Sequence, residues 1–136
     1  MSEDRCDPFV GTRFRVEIDG TSSTSAAAVA LPESRLLRPG DPGSAQYGAL
    51  VMQRGLTTRA DWYAWWDAAR RSKDPCPRTV TVVLIDAHGA DVWRWIFANS
   101  EPIAYRVSGL AAMAAEPLVE TLELSVGTFE AVGPAA

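Results

Sequence analysis

Histidine occurs once in the 136 residues, cysteine twice, and acidic side chains outnumber basic ones, 17 to 13. Each shortage removes a class of function. His88, Cys6 and Cys76 form neither a CxxC pair nor a Cys/His cluster, so the chain carries no disulfide framework and no zinc-type ligand set. A formal net charge of −4 lacks the clustered Lys and Arg that wrapping nucleic acid requires. No apolar run reaches membrane-spanning length, and Met1 to Pro8 hold no apolar leader core. The expectation is a protein folded in the cytoplasm with no membrane anchor. What the chain does have is 47% hydrophobic residues, enough for a single domain over residues 1–136.

The strongest pattern lies between Arg78 and Phe97. Thr79 to Ile85 is rich in β-branched residues, and Asp91 to Phe97 alternates with period two, so both read as strands. Asp86-Ala87-His88-Gly89-Ala90 between them has the Asp and Gly of a tight reversal. Trp93, Trp95 and Phe97 share one face of the second arm; Val92, Arg94 and Ile96 share the other. Such a strand is expected to be covered on both sides, by a core and by a second cover such as another subunit.

Upstream, Thr12 to Ile18 alternates as a half-exposed strand, with Phe14, Val16 and Ile18 inward, and Asp7-Pro8 opens the ordered part. Thr21 to Ala45 is low in complexity and broken by Pro32, Pro39, Gly40, Pro42 and Gly43. It is expected to be a mobile arm or partner-binding loop, with at most short strands near Val29–Leu31 or Leu36–Leu37. Tyr47 to Gln53 reads as a strand.

A helix follows, with Thr58 as N-cap, Asp61 as the capping-box acid, and Trp62, Trp65, Trp66 and Ala69 repeating along one face. Arg70, Arg71 and Lys73 suit its C-terminal end, and Pro75 and Pro77 stop it. After the hairpin, Ala98 to Pro102 reads as a turn, Ile103 to Val107 as a strand, and Ala111 to Ala115 as a helical turn or crossover. Leu118 to Val126 is a strand whose buried face carries Glu120, which needs a partner. The tail after Phe129 reads as loose. Six or so strands and one helix make a mainly β chain: two packed antiparallel β-sheets or a rolled β-barrel.

Candidate chemistry is thin. Asp86, His88 and Asp91 could gather a metal or flank a reaction, but at a hairpin tip they fit a structural turn better. Among Glu116, Glu120 and Glu123, the last two point to opposite faces of a strand and cannot flank one bond. Gly40 to Gly48 leads into a strand and not into the helix start that a phosphate loop needs. Trp62, Trp65 and Trp66 fit a core or subunit contact better than a ligand platform, and so do Trp93 and Trp95. No catalytic, cofactor-binding or metal-ligating residue is assigned, and no cofactor.

Several separated strings line up in order with one family. They are Asp7-Pro8 with Phe14 to Gly20; Leu50 to Thr57, ending Arg54-Gly55-Leu56-Thr57, with Trp62 and Trp65; Val82 to Asp86 with Gly89; Val92-Trp93-Arg94-Trp95-Ile96-Phe97 to Pro102; and Glu116 with Val119 to Leu124. The sequence resembles the tail-tube proteins of contractile phage tails and extracellular contractile injection systems. The resemblance implies a non-enzymatic structural subunit that closes into stacked hexameric rings, with strands of neighbouring subunits continuing one another around a lumen. It implies sheath and baseplate proteins as partners, with nucleic acid or protein cargo only as a lumen passenger. Thr21 to Ala45 departs from the family's usual second strand and Gly-rich arm, which admits a specialised baseplate initiator or terminal ring. A monomeric β-sandwich binding module using its Trp-rich face is the alternative of another class.

Overall fold

The computed structural model describes residues 8–10, 13–19, 21–23, 26–72, 76–113 and 115–134. Met1, Cys6, Asp7, Thr12, Gly20, Lys73 and Pro75, named in the expectations above, lie outside the described residues. The elements in chain order are β1 (Phe14–Ile18), β2 (Thr21–Ser23), β3 (Ala26–Ala30), β4 (Ser34–Leu36), a 3-10 turn (Pro42–Ser44), β5 (Ala45–Tyr47) and β6 (Leu50–Gly55). Then follow α1 (Asp61–Arg71), β7 (Arg78–Ile85), β8 (Asp91–Val107), β9 (Val119–Ser125) and β10 (Thr128–Val132).

All pairings are antiparallel, and β8 belongs to two sheets. Its first half lies between β7 and β10, and the sheet continues through β1 to β2. Its second half pairs with β9, and that sheet continues through β6 to β3. Between the sheets sit Val16, Leu50, Met52, Val80, Val82, Phe97, Leu122 and Leu124, joined by Trp62 and Trp65 of α1. The expected mainly β architecture with one helix is the one observed.

Asp91 to Val107 is one strand where two strands and a turn were expected. Asn99 bends it with a φ of 53°, a conformation that Asn tolerates better than most residues. Pro102 fits inside the strand because β8 beyond Ser100 pairs only with β9, leaving its other edge with no ladder hydrogen bond for Pro to break. Gly127 lies against the bend: its N–H donates to the Ala98 carbonyl at 3.1 Å, and a Cβ there would meet that of Asn99 at 2.6 Å.

Four other expectations are corrected. Thr58 does not cap α1: the N-cap is Ala60 with no side-chain cap, Thr57 Oγ1 accepts from Arg59 N–H at 3.2 Å, and Asp61 is held by Arg54 instead. The strand expected at Tyr47 begins at Leu50; Tyr47 ends β5, and Gly48 N–H donates to Glu33 O at 2.9 Å. The stretch after Phe129, expected to be loose, continues as strand to Val132: β10 pairs with β8, and Phe129 stacks on Phe97 with centroids 5.3 Å apart. Residues 21 to 45, expected to hold at most short strands near Val29–Leu31 or Leu36–Leu37, hold strands at both places, β3 and β4, and hold β2 and the 3-10 turn besides. β3 is an alanine-rich edge held by its ladder to β6, which no propensity would announce.

Candidate assembly surface

Glu120 has the partners its inward position demands. It is 1% exposed; Oε1 accepts from Arg54 Nε at 2.8 Å and Oε2 from the Tyr105 hydroxyl at 2.6 Å. Arg54 stands opposite it in the β6–β9 register, donates from Nη2 to Asp61 Oδ1 at 2.6 Å, and lies 4.1 Å from the centroid of the Trp62 ring. One buried cation thus ties two strands to the first turn of α1. Burial pulls the Arg54 pKa down, but the hydrogen bonds to Asp61 and Glu120 outweigh it and hold the value above the ordinary one. Burial likewise opposes ionisation of Asp61, yet Arg54 keeps that carboxyl below its usual range. Burial and then Glu120 push the Tyr105 hydroxyl up to about 12. Sequence parity flagged Glu120; Arg54 was missed, although a charge following Leu50 and Met52 on the same inward face was the available signal.

The residues weighed for chemistry do not converge. Asp86 accepts from Ala90 N–H at 2.9 Å and His88 N–H at 2.8 Å, and these backbone donors, Ala90 first, lower its pKa. Asp91 turns instead to Arg15, at 2.9 and 3.3 Å, which lowers its pKa in turn. Glu123 faces outward to Arg106 at 3.5 Å, Glu120 faces the core, and Glu116 lies in the turn before β9. Among the described residues, no group of three or more His, Cys, Asp or Glu side chains could hold a metal.

Trp62 and Trp65 are core, and Trp66 packs half-buried against it. Trp93 and Trp95 stack on each other with centroids 6.0 Å apart, and a Cβ added at Gly133 would lie 3.0 Å from the Trp93 ring. On the opposite face of this sheet, Val83 is fully buried between its cross-strand neighbours Arg15 and Arg94. The second cover is therefore the aliphatic stems of those two arginines, whose heads join Glu17 and Asp91 in ion pairs.

Three surface features remain. Among the described residues, the sheet of β8, β9, β6 and β3 ends in two strands with one partner each: β3, and the second half of β8. The β4–β5 ribbon exposes Leu36 and Leu37 beside a closed tip, where Ser44 Oγ donates to Asp41 O at 2.8 Å and Asp41 Oδ1 accepts from Gly43 N–H at 3.0 Å. An apolar recess of about 350 Å³ opens between the sheets, lined by Phe14, Ala28, Val29, Leu31, Leu84 and Trp95. Open strand edges and exposed apolar patches are features that soluble monomers ordinarily keep few of.

The family model of the T4-like virus tail tube protein gp19 matches residues 41–130. The chain belongs to that family. No curated protein matches it by sequence. Its fold is similar to a chain in the cryo-EM structure of the sheath–tube complex of an extracellular contractile injection system, PVC, in the extended state. The identity is 14% and the TM-score 0.78, over 97% of each chain. A chain of the sheath/tube terminator of the same system gives 15% and 0.79, over 93% of this chain and 97% of that one. Hcp1 from Flavobacterium johnsoniae gives 15% and 0.64, over 88% and 94%. The match runs through β8 and β9, so the bent strand and the Arg54–Glu120 pair lie inside the family region, and the tail-tube chain is a structural subunit.

Proposed function

We propose that this tail-tube chain closes into hexameric rings by pairing the open edge of β3 in one copy with the open second half of β8 in the next. The two unlike open edges of one sheet carry this reading. Its four strands alternate in direction, so a rotated copy set beside β3 presents β8 in the antiparallel sense, and the sheet continues without a mismatch. A contact between unlike surfaces is head-to-tail and forms a ring when the rotation closes. The outward face of this sheet, with Val51, Gln53, Thr121, Glu123 and Arg106, then becomes the lumen wall. The Arg106–Glu123 ion pair leaves it nearly neutral. Such a wall favours passage of a cargo over its retention.

The rings stack into a tube within a sheath on a baseplate, assembled in the cytoplasm and without catalysis. The β4–β5 ribbon is the assembly arm: β2 and β3 belong to the sheets, so the arm is residues 34–47 and not the whole of 21–45. A ring at the baseplate or at the end of the tube would use the same lateral contact and differ only in what stacks on it. The binding-module alternative fits less well, because Trp93 and Trp95 stack on each other and Trp93 lies against Gly133.

Negative-stain imaging with mass photometry over a concentration series tests the proposal. Rings or tubes support it, and rings that never stack favour the baseplate or terminal position. A strict monomer at every concentration, unchanged by adding a baseplate fraction, overturns it.

A further inference from the structure

The sheet of β8, β9, β6 and β3 is filled beneath one edge and hollow beneath the other. At the β8 edge, α1 sends Trp62 and Trp65 into the core, and its Tyr63 ring packs edge-on against Tyr105 of β8 with centroids 5.5 Å apart. Tyr63 is still 42% exposed, a large aromatic ring left on the rim. Beneath the β3 edge lies the recess of about 350 Å³, with Val29 and Leu31 on one wall and Phe14, Leu84 and Trp95 on the other.

Ring and recess share the inward face. Val29, Met52, Leu122 and Tyr105 are successive cross-strand partners, so they make one inward row from edge to edge. Met52 and Leu122, both fully buried, occupy the middle of that row. The tyrosines are therefore walled off from the recess of their own chain.

We infer that the Tyr63 ring of one copy, seated on its Tyr105, fills the recess under β3 of the next copy. A one-residue slip would turn Val29 outward, so the pleat admits only registers that keep inward residues inward when β8 of one copy pairs with β3 of the next. Tyr105 then borders the inward face of β3 at the strand spacing of about 4.8 Å, and Tyr63 comes with it beneath that strand. A cavity of about 150 Å³ accommodates one benzene ring, so the recess takes the Tyr63 ring and leaves room for the edge of Tyr105. The Tyr63 hydroxyl has Arg70 Nη2 at 3.4 Å and Asp67 Oδ1 at 3.5 Å, both on its own helix, and keeps these partners when the ring is covered.

The fit also selects among edge pairings. β3 against β3 would set two recesses face to face, and β8 against β8 would set two tyrosine pairs together. Only unlike edges bring ring to recess, which is the head-to-tail contact of a closing ring. The inference rests on the ring reading for the edge pairing and names the side chains that decide which edge is accepted.

The test mixes two variants in a Cys6→Ser, Cys76→Ser background, one carrying Tyr63→Cys and the other Leu31→Cys, and oxidises them. The expected result is a disulfide-linked heterodimer at about tenfold or more over a control pairing of Leu31→Cys with Leu110→Cys. In parallel, Tyr63→Asp and, from the recess side, Leu31→Asp should each fold, since both side chains are exposed, and should each raise the concentration needed for rings by about tenfold or more. Two variants on opposite sides of the contact keep the test decisive if one of them fails to fold. No cross-link above the control overturns the docking. Rings from either folded Asp variant at the parent's concentration overturn it with the ring reading intact, and stronger cross-linking of Leu31→Cys to Leu36→Cys of another copy overturns it in favour of the β4–β5 ribbon. A cross-link in a protein that forms no rings supports the contact and removes the ring reading alone.

Discussion

Arg54 is the most consequential single residue, because a buried guanidinium is tolerable only while its acceptors are in place. Glu120→Ala removes the buried one and opens space beside it, with an expected loss of about 3–5 kcal/mol in urea unfolding. Arg54→Met with Glu120→Leu removes the charge along with its acceptor and should return to within about 2 kcal/mol of the parent. A double variant as unstable as Glu120→Ala alone would mean that packing, and not the stranded charge, sets the cost. The third member, Asp61, is part-exposed and titrates below its ordinary 3.8 in the folded chain. A carboxyl with a depressed folded pKa contributes stability above its unfolded value and loses it as pH falls through the folded one. Stability should therefore be level from pH 7 to about 5 and fall below about 4, and Asp61→Asn, already weaker at pH 7, should lose less on the same descent. Urea midpoints with the same pH dependence in both proteins would remove Asp61 from the network.

Among the elements, the bend in β8 decides how the two sheets are joined. Gly127→Ala places a Cβ 2.6 Å from that of Asn99 and 3.1 Å from the Asn99 carbonyl, so backbone must move, at an expected cost of roughly 1–3 kcal/mol. Asn99→Gly relieves the positive φ without adding bulk and should stay within about 0.5 kcal/mol of the parent. If Gly127→Ala melts with the parent, Gly127 does not hold the corner closed. The same corner marks where the sequence stopped being legible. β1, β9 and the first half of β8 show two-residue alternation, β7 its β-branched run and α1 its Trp spacing, because each meets a core. β8 was divided at Asn99 to Pro102 because Asn, Ser and Pro are turn residues in isolation; here a partner on one edge holds them extended. β10 was missed, and β3 was legible only as a short strand near Val29–Leu31, for a related reason: a short C-terminal run and an alanine edge carry no periodicity, and only their ladders to β8 and β6 make them strands. At the candidate surface, the Glu120 requirement was legible from parity, whereas the recess was not, since Phe14, Val29 and Trp95 come from three distant stretches.

For the whole molecule, assembly should be separable from folding. The β4–β5 ribbon closes on itself, with Leu37 N–H donating to Ser44 O at 3.2 Å and Arg38 paired to Asp41 at 2.7 Å. Its two ends lie side by side, because Gly48 N–H donates to Glu33 O at 2.9 Å. Residues 34–47 can therefore be replaced by an Asn-Gly turn joining Glu33 to Gly48 without stretching the chain. β3 and β6 stay paired in that variant, whereas deleting 21–45 outright would also remove an edge strand and test folding instead. The shortened chain should melt within about 2 kcal/mol of the parent, because exposed Leu36 and Leu37 contribute little to the core. Mass photometry should show it as a monomer at concentrations where the parent forms rings. Rings of normal size that fail to stack would assign the ribbon to the contact between rings, and normal tubes would remove it from assembly altogether.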